Sequence, residues 1–328
     1  MTGSERGSSL PRAAYFPELR FDTSLLVSAK RFLDVVSVGD RDTLLSVAAD
    51  VSIVFAPLSL SIDDALLREL PEVTHIVSNT TGAPHVNRAA LAERGIKLIC
   101  LSGDDSFMTT VTPTAELTIG LMIAACRMLP RAIESVKLGQ WNRFEHGTPA
   151  MLSRMRLGLV GFGRLGQMVD RIASAIGMET RHYDPMSPSS MPSLADLASE
   201  SEIISVHASL NPTSYRSVDA STFNAMPDGS VFVNTARGEI VDEDDLLAAL
   251  RSGKLRSAAL DVLTSEPPPG SGSGVGWHPL VQYARQNDNL ILTPHIGGST
   301  QDAWFATQKR TLELLEISLR AGLGQCET

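Results

Sequence analysis

An α/β chain with two doubly wound parallel-sheet domains is predicted, one inserted into the other, and three observations carry that prediction. Short apolar runs alternate with helix-like segments from about residue 30 to 100, the alternation resumes after Arg156, and a long apolar helical stretch separates the two series. Alternation of this kind builds βαβ units on a parallel sheet. A chain of 328 residues also exceeds one ordinary core and suits two domains of about 100–200 residues each.

In the first series FLDVVSV (32–38), VSIVFAP (51–57), VTHIVSNT (73–80) and IKLICLS (96–102) read as strands. TLLSVAA (43–49), DDALLREL (63–70) and NRAALAERG (87–95) read as the helices between them. From Thr114 to Trp141 apolar residues recur at helical spacing, and Pro130 is expected to kink that helix or split it. So long and apolar a helix is expected to cross between the domains. The second series opens with MRLGLVG and the helix RLGQMVDRIASAIG, whose Leu165, Met168, Val169, Ile172 and Ile176 share one face before Gly177 stops it. ETRHYD, IISVHAS, VFVNTA, AALDV and LILTPH follow as strands, with LADLASES and DEDDLLAALRSG as helices. About thirty residues remain after His295, mostly one helix, too few for a domain, so they are expected to pack back on the first half.

Composition narrows the setting. Hydrophobic content of 43% with 20% charged residues is ordinary for a soluble globular chain. No run reaches the roughly 18 uninterrupted apolar residues of a membrane span, and the N-terminus has no apolar core of a secretory signal. The first dozen residues, small and polar, are expected to be disordered. Net charge is −9, which argues against a nucleic-acid face. Three scattered cysteines, Cys100, Cys126 and Cys326, suggest neither a disulfide framework nor a metal pair, and point to a reducing cytoplasm.

Residues 161–166, GFGRLG, place G-x-G-x-x-G after a strand and at the start of a helix. Gly161 makes the tight turn, Gly163 lets a pyrophosphate approach the backbone, and Gly166 lets helix and strand pack closely. The free amides at that helix start favour an anion. The next strand ends in HYDP, so Asp184 stands about twenty residues on, where a carboxylate accepts both ribose hydroxyls. An ordinary turn aspartate before Pro185 is the plain alternative. Glycines, spacing and strand end together indicate a dinucleotide site, NAD rather than NADP, although Arg181 or His182 could serve a phosphate.

Ligands of doubly wound sheets bind outside the carboxyl ends of the strands. Three successive apolar strands here run out into Arg237, Glu266 and His295. Each alone reads equally well as a surface cation, a solvated acid and a loop histidine. Together on a dinucleotide fold they suggest hydride chemistry on a 2-keto acid. The imidazole exchanges a proton near neutral pH, the carboxylate orients it, and the guanidinium holds a substrate carboxylate in two bonds.

These stretches resemble the D-isomer-specific 2-hydroxyacid dehydrogenases, a family that includes phosphoglycerate dehydrogenases, glyoxylate and hydroxypyruvate reductases and D-lactate dehydrogenases. The likeness lies in LGLVGFGRLG with HYDP, in VFVNTARGEIVDEDDLLAALRSGKLRSAALDV, in SEPP and in NLILTPHIGGST. It implies a Rossmann NAD-binding domain over 113–298, inserted into a flavodoxin-like substrate domain formed by 1–112 and 299–328. It also implies that His295 is the acid–base group, Glu266 its charged partner, and Arg237 the group that binds the substrate carboxylate and polarises the carbonyl. The family's cofactor contacts fall on Arg164, Leu165, Asp184, Thr235, Ala236 and Asp261, with Gly297, Gly298 and Thr114 close by. A homodimer through the nucleotide domain and closure of the two domains over a small 2-keto or 2-hydroxy acid follow by analogy.

The first half matches more loosely. NTTGAPHVN stands where the family carries a glycine-rich substrate loop, so Thr81 and Gly82 are the candidate contacts, but Pro84 replaces the usual aspartate. Thr114 and Glu116 keep the TAE-like helix start. These departures leave the substrate open. The Gly/Ser-rich loop 267–276 is unusual for the family, and no C-terminal regulatory domain is expected. Two other functions stay open: a dinucleotide-sensing protein like the related corepressors, and formate or phosphite oxidation. Formate enzymes carry glutamine where Glu266 stands.

Overall fold

The computed structural model describes residues 10–267 and 272–323, with side chains through Ala321. Most of the first dozen residues, part of loop 267–276 and Cys326 therefore lie outside the described residues. Two compact units emerge, one from the residues up to Val111 with those from Thr300 on, the other from 112–267 with 273–299.

The outer unit carries β1 (Arg12–Tyr15), β2 (Asp34–Ser37), β3 (Ile53–Phe55), β4 (His75–Val77) and β5 (Lys97–Ile99) in one parallel sheet of order β2-β1-β3-β4-β5. Its helices are α1 (Thr23–Ala29), α2 (Arg41–Ser46), α3 (Asp64–Arg68), α4 (Arg88–Glu93) and α5 (Asp105–Met108). The α2, α3 and α4 starts are capped by Asp40, Asp63 and Asn87, whose side chains accept first-turn amides that the helix leaves free. Strand β1 and helix α1 lie before the point where the sequence reading starts its sheet. The strand RAAY is short and carries two alanines, so it offers little apolar signal, yet Ala13 and Ala14 are fully buried between β2 and β3.

The inner unit opens with α6 (Pro113–Arg127) and α7 (Leu129–Lys137). The expected break occurs at Met128, in the left-handed region at φ 51°, with Pro130 in the first turn of α7, where a missing N–H costs nothing. Then come β6 (Arg156–Val160), α8 (Arg164–Ala175), β7 (Glu179–Tyr183), α9 (Leu194–Ser199), β8 (Ile203–Val206), α10 (Ala220–Ala225), β9 (Ser230–Asn234), α11 (Glu243–Ser252), β10 (Leu255–Leu260), α12 (Pro279–Ala284) and β11 (Leu290–Leu292). Helices α10 and α12 are short pieces that sequence periodicity does not reveal. All six strands are parallel in the order β11-β10-β9-β8-β6-β7. Every residue of β8 and β9 is buried, as befits a sheet covered on both faces. Ile119, Met122 and Val169 cover one face against Leu157, Leu159 and Val233. Leu197, Phe223, Leu246 and Leu250 cover the other against Ile204, Phe232 and Leu260. The segment Asp105–Arg127 is long and apolar enough to cross a membrane, but much of α6 is buried in this core.

The last helix, α13 (Gln301–Leu323), belongs to the outer unit, with Leu312 and Leu315 buried against Ala13, Phe55 and Val77. Both sheets step from their first strand to a second, then cross back to a third on the opposite side. The reversal lies between β1 and β3 in one and between β6 and β8 in the other, and such reversals open a ligand crevice at the carboxyl ends.

Candidate active site

At the inner reversal the loops after β6 and β8 touch. Gly161 has φ +92°, and a Cβ there would lie 2.4 Å from Ala208 N, so any side chain would clash with backbone. A Cβ on Gly166 would lie 2.3 Å from the Gly161 carbonyl oxygen, which makes this the close helix–strand contact. Nothing lies within 4 Å of the Cβ position of Gly163, at the N-cap of α8, so the free amides behind it are open to an anion. Arg164 and Leu165 form the first turn of α8. Asp184 sits just past β7 and accepts the Phe162 amide at 2.8 Å and the Met186 amide at 2.9 Å, which orients its carboxylate over the glycine loop. The Phe162 ring stacks on His182 at 3.7 Å between centroids. A narrow glycine turn, an open helix start and an oriented carboxylate fit the pyrophosphate and ribose of a dinucleotide.

The end of β8 also holds His207, which the sequence reading does not single out. It is buried, its Nε2 lies 2.9 Å from Ser205 Oγ, and burial holds its pKa down to about 4. The signal was available as a polar residue ending the apolar run IISV, at the same sheet edge as the other strand ends.

Asp261, just past β10, organises the histidine loop. Its carboxylate is 1% exposed and accepts Thr293 Oγ1 at 2.5 Å, the Ile296 amide at 2.9 Å and the Gly297 amide at 2.7 Å. Its own carbonyl oxygen accepts the His295 amide at 2.9 Å. A Cβ on Gly297 would meet Asp261 Oδ2 at 3.0 Å and Thr114 Cγ2 at 3.2 Å, which brings Thr114 of α6 to the same place; Gly298 is open. Held this way, His295 adopts φ +52°, a conformation that non-glycine residues keep only when their surroundings enforce it.

The His295 ring faces Glu266. Nδ1 lies 3.0 Å from Oε1 and 2.9 Å from Oε2, so it donates to the carboxylate and Nε2 is left to face outward. The pair is partly open, with side chains 44% and 29% exposed. Arg237 is exposed at the end of β9 and bonds the Ala236 carbonyl through Nη1 at 2.6 Å. The turn beneath it is fixed by buried Asn234, which donates to the Arg237 carbonyl and accepts the Ala236 amide, each at 2.9 Å. Thr235 is buried against Thr118, with hydroxyl oxygens 2.8 Å apart. In the outer unit Thr81 and Gly82 are exposed on the loop after β4, where Thr80 bonds the Gly82 carbonyl.

Residues 119–297 match the family model of the D-isomer specific 2-hydroxyacid dehydrogenase NAD binding domain. The chain is 32% identical to hydroxypyruvate reductase of Thermotoga maritima over 301 residues, covering 90% of this chain and 92% of that one. It is 30% identical to D-3-phosphoglycerate dehydrogenase of Methanocaldococcus jannaschii over 294 residues, 87% of this chain, but spans only 53% of that protein's length. Among solved structures it is similar to D-lactate dehydrogenase of Aquifex aeolicus complexed with NAD and lactic acid, with TM-score 0.81 and 22% identity over 96% of this chain and 97% of the other. A D-isomer specific 2-hydroxyacid dehydrogenase of Polaromonas gives TM-score 0.82 at 24% identity, covering 95% and 98%. The chain belongs to the D-isomer specific 2-hydroxyacid dehydrogenase family, with NAD as the cofactor of its inner unit.

Proposed function

We propose that this protein interconverts a D-2-hydroxy acid and its 2-keto acid, with His295 as the acid–base group and NAD preferred to NADP. The Glu266–His295 pair carries the reading. Both carboxylate oxygens engage Nδ1, which fixes the tautomer and turns Nε2 toward solvent, where a substrate oxygen can meet it. NAD supplies or takes the hydride. In reduction His295 gives a proton to the substrate oxygen, and Glu266 stabilises the ring's charged form before that transfer. Arg237 binds the substrate carboxylate, a task suited to its planar fork. Thr81 and Gly82 of the proposed substrate domain, residues 1–112 and 299–328, are assigned to the same carboxylate. Gly161, Gly163, Arg164, Leu165, Gly166, Asp184, Thr235, Ala236, Asp261, Gly297, Gly298 and Thr114 are assigned to the cofactor. Asp184 favours NAD because its charge opposes a 2′-phosphate. A reducing cytoplasm suits the free Cys100 and Cys126.

A homodimer through the inner unit is part of the proposal. Helix α7 buries none of its residues, and Ile133, Val136, Trp141 and Phe144 are exposed, the last two at 89% and 79%. Exposed apolar surface of this kind marks an association face. A Trp141→Glu change should halve the mass seen by light scattering, and an unchanged mass removes this face from the proposal.

The deciding experiment follows NADH and NADPH consumption across a panel of 2-keto acids, from glyoxylate and pyruvate through hydroxypyruvate and branched acids to 3-phosphohydroxypyruvate. Turnover with NADH on one of them supports the reading and names the substrate. Cofactor binding without turnover on any of them favours a dinucleotide-sensing protein instead.

A further inference from the structure

We propose that Glu243, held by His278, is a positioning residue that fixes Glu266 and through it the orientation of His295. The proposal rests on the dehydrogenase reading and adds to it a pair that the reading does not contain.

Glu243 is the first residue of α11, and its side chain is 15% exposed, a depth at which carboxylates are found paired. Its Oε1 accepts the Thr264 amide at 2.8 Å, and its Oε2 faces His278 Nε2 at 3.1 Å. His278 caps α12, where its Nδ1 accepts the Leu280 amide at 3.3 Å. A ring that accepts at Nδ1 carries its proton on Nε2, so His278 donates to Glu243 as a neutral imidazole. Burial pushes the Glu243 carboxyl up, and the Thr264 amide and His278 oppose that. Around the same pocket stand Arg216, Glu239, Asp242 and Asp244, of which Arg216 is committed to Asp242.

The Thr264 amide is where this pair reaches the active site. Thr264 stands two positions before Glu266, and Ser265 between them is left-handed at φ +59°. On its other side the segment abuts Gly238, the residue after Arg237. A Cβ on Gly238 would lie 2.1 Å from the Leu263 carbonyl carbon and 2.2 Å from Thr264 N. The backbone that delivers Glu266 is therefore gripped between the arginine turn and the Glu243 carboxylate. Releasing one grip lets Glu266 drift from Nδ1 of His295 without touching the cofactor loop.

The test compares wild type with Glu243→Ala, Glu266→Gln and the double variant. Glu243→Ala is expected to lower kcat by up to about 10²-fold, the cost of misplacing a catalytic group by an ångström, with NADH affinity unchanged. In the double variant it should add little to Glu266→Gln, because both act through one contact. Full additivity, or NADH affinity falling in step with kcat, would mean a merely structural role and overturn the proposal. Glu243→Gln, which keeps an oxygen for the Thr264 amide, should recover most of the loss. His278→Asn retains a capping side chain and should give the same signature at smaller size. A second readout needs no turnover: with ¹⁵N-labelled histidine, the low-field Nδ1 proton of His295 should vanish in Glu243→Ala as in Glu266→Gln, and persist in Glu243→Gln. Its persistence in Glu243→Ala refutes the proposal. A wild type inert on every 2-keto acid that still shows this loss would sink the dehydrogenase reading and leave the Glu243 assignment standing.

Discussion

The strand ends of the inner unit and the loop after β4 in the outer unit are built to different tolerances. At Gly161, Gly166 and Gly238 a single added carbon would collide with backbone, and both oxygens of Asp261 are in use. His295 and Ser265 are held in the left-handed region, which costs on the order of 1–3 kcal/mol each. In the outer loop nothing lies within 4 Å of the Cβ position of Gly82, and Thr81 and Pro84 are exposed. Hydride and proton transfer require groups fixed to a fraction of an ångström, whereas a loop that contributes binding alone tolerates change. On the proposed function the two regions divide the work: one carries the reaction, the other helps hold the substrate.

The hardest test of that division is His295→Ala. Turnover should fall by about 10²–10⁴-fold, the usual worth of general acid–base catalysis, while NADH affinity measured by fluorescence stays near wild type. Retained turnover would remove the inner loop from the chemistry altogether.

Acid should expose the next largest effect. His207 is held neutral, with its pKa lowered to about 4 from an ordinary value near 6.5. A base depressed on folding is protonated more readily in the unfolded chain. Stability is therefore intact above about pH 6.5 and lost as pH falls toward 4, by on the order of 3 kcal/mol. Thermal melts between pH 7 and pH 4 of wild type and His207→Gln should show a flatter decline in the variant. Parallel declines would mean that another group, such as the buried His75 bonded to Ser318 in the outer unit, governs acid stability.

Asp261→Asn probes the tightest knot. The amide nitrogen that replaces one carboxylate oxygen would set donor against donor at Ile296 or Gly297, leaving a buried group unpaired at about 1–3 kcal/mol. Both melting temperature and kcat should drop, and a variant with normal kcat would show that the histidine loop holds without this carboxylate.

How much of this was legible in the sequence follows from the range over which each feature is set. The glycine loop, the helix caps and the break near Pro130 depend on neighbours a few residues away, and residue type alone announces them. Asp184 and the three polar strand ends were visible because parallel topology sends successive strands to one edge. Strand β1 was not visible, since RAAY owes its interior place to β2 and β3 rather than to its own composition. The grip of Glu243 on Thr264 spans 21 positions, and that of Asp261 on Gly297 spans 36. Such contacts are set by packing, and no local pattern encodes them.

The smallest expected effect bears most directly on the comparison. Gly82 has no positive φ and no atom near its Cβ position, so Gly82→Ala should fold and melt like wild type. Thr81→Ala removes an exposed hydroxyl and should do the same. If this loop meets the substrate carboxylate, Thr81→Ala should raise KM for the preferred keto acid by up to about tenfold, the worth of roughly one hydrogen bond, and Gly82→Ala should raise it by crowding the amide with a methyl group. At saturation kcat should hold, because uniform binding affects KM alone. The rank order of acids on the panel should hold, since every one of them presents the same carboxylate. A fall in kcat at constant KM would instead give this loose loop a share in the transition state and dissolve the division of labour.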